Sequence, residues 1–172
     1  MKVDEARNRI KDALGEEELL RGGKLQIGIN DVSLGENRVA KTKYFDRHIC
    51  RSLAVPYTFY ARCPEDLKLG ILNCFLKDSE EGKYSIILRD GEAFSVVKSS
   101  DHYVPFAKWF DSVIAGKDDY ETDVLDVDGD SVEIGLLNNR IRMEPRKDDV
   151  LKGGVLLSMT NGGFNLRYSF QS

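Results

Sequence analysis

Residues 41 to 62 gather Lys41, Lys43, Arg47, Arg51 and Arg62 against a single acid, Asp46, with Tyr44, Tyr57, Phe59 and Tyr60 set among them. Cations interleaved with aromatic rings are what a single-stranded nucleic acid asks for: the charges follow the phosphates and the rings stack on bases. The segment also has a plainer reading. Phe45, Ile49 and Leu53 recur at helical spacing, so one face belongs to a core and the basic face is simply solvated. On the first reading the contact residues are Lys41, Lys43, Tyr44, Arg47, Arg51, Tyr60 and Arg62, and the partner is single-stranded DNA.

Residues 117 to 136 have the opposite character, with eight acids against Lys117 alone. Such a surface repels phosphate. It suits a basic partner protein, and Asp123, Asp126 and Asp128 are the residues such a partner would meet.

Three other constellations fail on their chemistry. Gly35-Glu36-Asn37-Arg38-Val39-Ala40-Lys41-Thr42 has the outline of a phosphate-binding loop, but Ala40 stands where glycine must let backbone amides reach the phosphates. A loop with Thr42 capping the next helix fits better. Asp126-Val127-Asp128-Gly129-Asp130 carries its glycine fourth rather than sixth, so it reads as a hairpin turn and not a calcium loop. His48 and His102 are the only histidines, and Cys50, Cys63 and Cys74 form no paired motif. No metal site, cofactor site or nucleophile–base pair is readable, and the sequence leans towards a non-enzymatic role.

The elements that would position these residues follow from periodicity. With 172 residues, 41% apolar and 31% charged, the chain reads as one domain, 1–172, with a helical segment over 1–22 and a core over 24–172. The net charge is −4, which removes a global basic footprint but leaves room for a local one. The spacing predicts helices over 4–20, 42–54, 57–62, 64–77 and 105–114, with Leu67, Ile71 and Phe75 as the apolar face of the fourth and Leu72 beside them. It predicts a strand over 24–34. Hairpins follow over 83–98 around Asp90-Gly91, over 120–137 around Asp128-Gly129, and over 152–170 around Asn161-Gly162-Gly163. Residues 138 to 150 read as a loop. The expected class is therefore α+β, a mainly antiparallel sheet made of three β-hairpins with helices packed on one side. Hairpin edges leave room for a homo-oligomer. The charged N-terminus does not read as a signal peptide, no apolar run spans a membrane, and three scattered cysteines fit a reducing cytoplasm.

Several segments carry a resemblance. They are Val55-Pro56-Tyr57, Tyr60-Ala61-Arg62-Cys63-Pro64-Glu65-Asp66-Leu67, Ile87-Leu88-Arg89 with Asp90-Gly91-Glu92-Ala93-Phe94, and Ser99-Ser100-Asp101-His102-Tyr103-Val104-Pro105. Leu157 to Arg167, with Thr160-Asn161-Gly162-Gly163, adds a last piece, in which Met159 and Asn161 depart from the pattern. Together, over about residues 40 to 170, they resemble the phage/plasmid-like proteins of unknown function (domain of unknown function 932). Members usually continue beyond this last hairpin, so the chain reads as a short relative or a shortened piece. The resemblance implies a phage or mobile-element protein in a bacterial host cytoplasm, linked to recombination through DNA processing or single-strand annealing. A phage module that inhibits or recruits a host protein is the alternative. It also singles out Arg89, Ser100, Asp101, Tyr103, Asn161 and Gly162 as motif residues, structural or ligand-binding. Their chemistry suggests that Asp101 caps the turn into the Pro105 helix and pairs with Arg89.

Overall fold

A computed structural model of the protein describes residues 1–114, 119–128, 131–147, 149–160 and 163–171. The fold is α+β, and the named strands pair antiparallel, divided among three sheets. The chain resolves into two compact units, a division that the periodicity did not foreshadow: Glu16–Tyr103, and Met1–Gly15 together with Val104–Ser172.

The Glu16–Tyr103 unit holds two small sheets and three helices. Strands β1 (Glu17–Leu20), β5 (Tyr84–Arg89) and β6 (Glu92–Lys98) form one sheet in the order β1-β5-β6. Strands β2 (Leu25–Ile27), β3 (Asp31–Leu34) and β4 (Asn37–Ala40) form the other. The β5–β6 turn is the predicted one: Asp90 and Gly91 both take positive φ, 50° and 81°, as a primed hairpin turn requires. Helices α2 (Phe45–Ser52), α3 (Tyr57–Tyr60) and α4 (Glu65–Leu76) complete the unit. Its core includes Leu25, Val32, Leu34, Phe45, Ile49, Leu72, Leu76 and Ile86.

The second unit packs α1 (Val3–Leu14) and α5 (Phe106–Ile114) with a four-stranded meander. The strands are β7 (Tyr120–Val127), β8 (Ser131–Arg146), β9 (Asp149–Thr160) and β10 (Gly163–Gln171), ordered β10-β9-β8-β7. Ile10, Leu14, Phe106, Phe110 and Ile114 from the helices meet Val132, Ile134, Leu136, Leu157 and Met159 from the sheet.

Five expectations change. The helix over 4–20 stops at Leu14, because Gly15 takes φ 68°; residues 17–20 are β1, whose partner β5 no local pattern reveals. The N-terminal helical segment is therefore shorter than 1–22. The strand over 24–34 is a hairpin, closed where Gly28 N donates to Asp31 O at 2.9 Å. A side chain at Gly23 would collide with the backbone of Gly35, so that glycine is fixed by close approach as well as by its φ of 94°. Thr42 does not cap α2: the residue before the helix is Tyr44, and no side chain caps the end. Residues 138–150 are strand over most of their length, as β8 and β9 run on past a register shift between Leu137 and Arg142. Last, Leu67 and Phe75 face outward, 49% and 58% exposed, while α4 turns Leu72 and Leu76 to the core.

Asn73 on α4 closes the open edge of β2. Its Oδ1 accepts from Ile27 N at 3.2 Å and its Nδ2 donates to Ile27 O at 3.0 Å, as a neighbouring strand would. Asn73→Leu strands both backbone groups and is expected to lower the unfolding free energy by about 1–3 kcal/mol, read by urea titration.

Candidate nucleic-acid interface

Helix α2 forms because Phe45, Ile49 and Cys50 bury one side, with His48 beside them. His48 is structural. Its Nδ1–H donates to Phe94 O at 2.9 Å, and its ring lies edge-on to Phe94 with centroids 4.6 Å apart. The opposite side of the helix carries Arg47 and Arg51, and Lys43 stands one turn before Arg47. All three are exposed. Arg47 and Arg51, four apart on α2, share one face, and Lys43 extends this stripe from the turn before the helix. Aromatic rings floor it: Lys43 Nζ sits 5.0 Å from the Tyr44 centroid and the Arg47 guanidinium 5.6 Å from that of Tyr57. Tyr44 and Tyr57 are half-buried, and Arg62 and Phe59 are exposed further along.

Two residues of the expected set are not available to a ligand in this way. Lys41 is buried as an ion pair: Nζ donates to Asp46 Oδ1 at 2.9 Å and to Gly28 O at 2.8 Å, with its side chain 7% exposed. Tyr60 is buried too, and its hydroxyl donates to Asp46 Oδ2 at 3.0 Å. Asp46, the single acid in the basic segment, is therefore the group that withdraws both. With Ile29, Glu65, Lys68 and Leu69 they line a small cavity of about 90 Å³. Of the expected contact residues, Lys43, Tyr44, Arg47 and Arg51 line the stripe, with Arg62 exposed beyond.

The β5–β6 hairpin holds α2 in place. Thr42 N donates to Ala93 O at 2.9 Å, and Phe94 packs on both Tyr44 and His48. Phe94 in turn lies under Arg89, whose guanidinium carbon is 3.5 Å from the ring centroid. Arg89 does not pair with Asp101. It pairs with Glu17 on the neighbouring strand β1, Nε and Nη2 each 3.0 Å from Oε1. Tyr103 donates its hydroxyl to Glu17 Oε2 at 2.8 Å. Arg89 and Tyr103 thus meet on a carboxylate that nothing in Glu16-Glu17-Glu18 distinguishes in the sequence. Both charged side chains are under a tenth exposed, so the group is a buried brace. Ser100 and Asp101 are exposed in the turn after β6, where Asp101 N donates to Lys98 O at 2.9 Å. Asn161 and Gly162 lie outside the described residues.

Asp123 and Asp126 are exposed on β7, at the edge of its sheet. Asp128 is committed to its turn, with Oδ1 accepting from Ser131 N at 2.7 Å. Among the described residues no group of three or more His, Cys, Asp or Glu side chains could hold a metal, and no helix is long and apolar enough to cross a membrane.

Burial raises the pKa of three groups around the interface. The Cys50 thiol rises from 9.0 to about 12, through burial and the charge of Asp46. The Tyr60 phenol rises above its usual 10.0 by burial and by Asp46, and Tyr103 by burial and by Glu17. Each group keeps its proton in the folded state at a pH where the unfolded chain releases it. Their stabilisation is complete below the ordinary values and is lost as pH rises through the raised ones. The thermal midpoint is expected to hold from pH 7 to about pH 9 and fall beyond it; a midpoint unchanged to pH 11 would contradict the buried placement. Burial keeps the Cys50 thiol protonated at neutral pH, which makes it a poor nucleophile.

Compared with protein-family models, curated proteins and solved structures, the chain matches none.

Proposed function

We propose that this is a non-enzymatic nucleic-acid-binding protein that takes single strands on the Lys43–Arg47–Arg51 stripe. The observation that carries it is the stripe itself: Arg47 and Arg51 exposed on one side of α2 and Lys43 exposed in the turn just before it, two of the three over tyrosine rings. Cations at this spacing neutralise successive phosphates, and half-buried rings at their base offer stacking surfaces to unpaired bases. The role this suggests, in DNA processing or strand annealing on a phage or other mobile element, rests on the resemblance of the Arg89, Phe94 and Tyr103 segments. Those residues brace the stripe from behind and belong to its support. The test is a fluorescence titration of a labelled single-stranded oligonucleotide at low ionic strength. Saturable binding supports the reading, and no binding ends it.

A second reading, a module that binds a host protein, has one feature in its favour: the exposed acids Asp123 and Asp126 on the edge strand β7. Capture of a basic partner that disappears in Asp123→Asn/Asp126→Asn favours it over the first.

A further inference from the structure

The β8–β9 hairpin outruns its neighbours. Strand β7 accompanies β8 as far as the pair Tyr120–Asn138, with one more hydrogen bond from Asn139 N to Asp119 O at 3.2 Å. Strand β10 accompanies β9 as far as Lys152, opposite Gln171. Beyond those points residues 140–151 form a two-stranded ribbon that, among the described residues, has no third strand on either edge. A ribbon of two strands is marginal in water. This one also exposes apolar side chains: Ile141, Met143 and Val150 are 48%, 52% and 42% exposed.

Its two sides differ. Antiparallel partners project to the same side, so Arg142 and Lys152 share one side, and Met143 and Leu151 the other. On β9, Leu151 alternates in step with Val155, Leu157 and Met159, so the apolar side of the ribbon continues the core side of the sheet. Arg142 and Lys152 stand directly opposite each other, a like-charge pair that costs stability in a sheet. An anion held between them offsets that repulsion. Arg146 and Lys147 carry positive charge on to the tip, and Arg140 is anchored at the base, 3.0 Å from Asp119. Over residues 140–152 five cations stand against three acids, on a chain whose net charge is −4.

The partner that fits is polyanionic and offers apolar walls. A DNA duplex has both at its minor groove, where phosphates line the rims and sugar carbons the sides. The floor of the major groove is dense in donors and acceptors, which an apolar side would leave unpaired. Isoleucine, methionine and proline are among the side chains that wedge between base steps from the minor groove. Ile141, Met143 and Pro145 recur at every second residue of β8, and all three are exposed. We infer that the β8–β9 ribbon docks in the minor groove of double-stranded DNA. Arg142, Arg146, Lys147 and Lys152 meet phosphates, while Ile141 and Met143 lie against sugars and base steps. The contact goes beyond the single-strand reading and does not rest on it, since none of Lys43, Arg47 or Arg51 takes part.

Fluorescence anisotropy of a short labelled duplex, titrated with the full chain, tests it. Arg142→Ala/Arg146→Ala/Lys147→Ala, at three exposed positions, is expected to weaken duplex binding about a hundredfold at low salt. It flattens the slope of log K against log salt by about 3, with an unchanged circular dichroism spectrum. Lys43→Ala/Arg47→Ala/Arg51→Ala leaves duplex binding in place, so the failure of either reading shows by itself. Ile141→Ser/Met143→Ser is expected to keep the salt dependence and abolish the bending of the duplex, read as energy transfer between dyes at its two ends. Absence of duplex binding at low ionic strength overturns the proposal. So does binding indifferent to the triple change at 142, 146 and 147, or a bend that survives both serines. Binding to anionic phospholipid vesicles that depends on the ribbon, with none to duplex, overturns it too and gives the ribbon to a lipid surface.

Discussion

Arg89→Met is expected to lower the unfolding free energy by about 3–5 kcal/mol, the range for removing one partner of a buried ion pair. The cause is the carboxylate left behind. Glu17 is as buried as Arg89, and it accepts from both Arg89 and Tyr103. Without the guanidinium it keeps the phenol but loses its counter-charge, and desolvation is no longer offset. The loss also removes the cation from the face of Phe94, the residue that packs on Tyr44 and His48. Changing the partner as well separates pair from charge: Arg89→Met/Glu17→Leu is expected to recover most of the stability, because an apolar pair carries no desolvation cost. Denaturant titrations of the two single variants and the double variant give the coupling directly. A coupling near zero would show that Arg89 and Glu17 do not act as a pair.

The triple variant Lys43→Ala/Arg47→Ala/Arg51→Ala is expected to lose single-strand affinity by about two orders of magnitude at low salt. Its stability should fall by only about 1–2 kcal/mol, the size of two exposed cation–ring contacts, so the variant stays folded. Lys41→Met is the informative contrast. It leaves Asp46 without the cation that neutralises it, so it should weaken the fold while the stripe remains. If binding instead follows Lys41 and ignores the triple change, the ligand uses the small cavity beside Asp46 and the proposed interface is misplaced. Tyr57→Leu should cost binding by about 1–3 kcal/mol per stacked base while leaving the charge pattern intact.

Local chemistry was legible in the sequence wherever it was self-contained. Asp90-Gly91 needs only its own backbone to make a primed turn, and the flanking alternation did the rest. The class α+β follows from such hairpins and from the helical spacing of Phe45, Ile49 and Leu53. What stayed hidden depended on partners distant in the chain. Residues 17–20 join a sheet only because β5 arrives some 70 residues later, and the same pairing turns Glu17 into the counter-ion of Arg89. The basic segment was visible, but charge count alone could not separate Lys41 from Lys43. One is folded back onto Asp46 and Gly28, and the other faces solvent. Helix α4 misled for a related reason. Leu67, Ile71 and Phe75 are a sound apolar periodicity, yet Leu69, Leu72 and Leu76 form a second one; the fold buries the second and, of the first, packs only Ile71 against the core.

The most direct measurement is the salt dependence of single-strand binding, parent against triple variant. Three phosphate contacts on a single strand predict a slope of log K against log salt of about −2 for the parent and near zero for the variant. Equal slopes in the two proteins, or no binding by the parent at low ionic strength, would contradict the assignment of the Lys43–Arg47–Arg51 stripe.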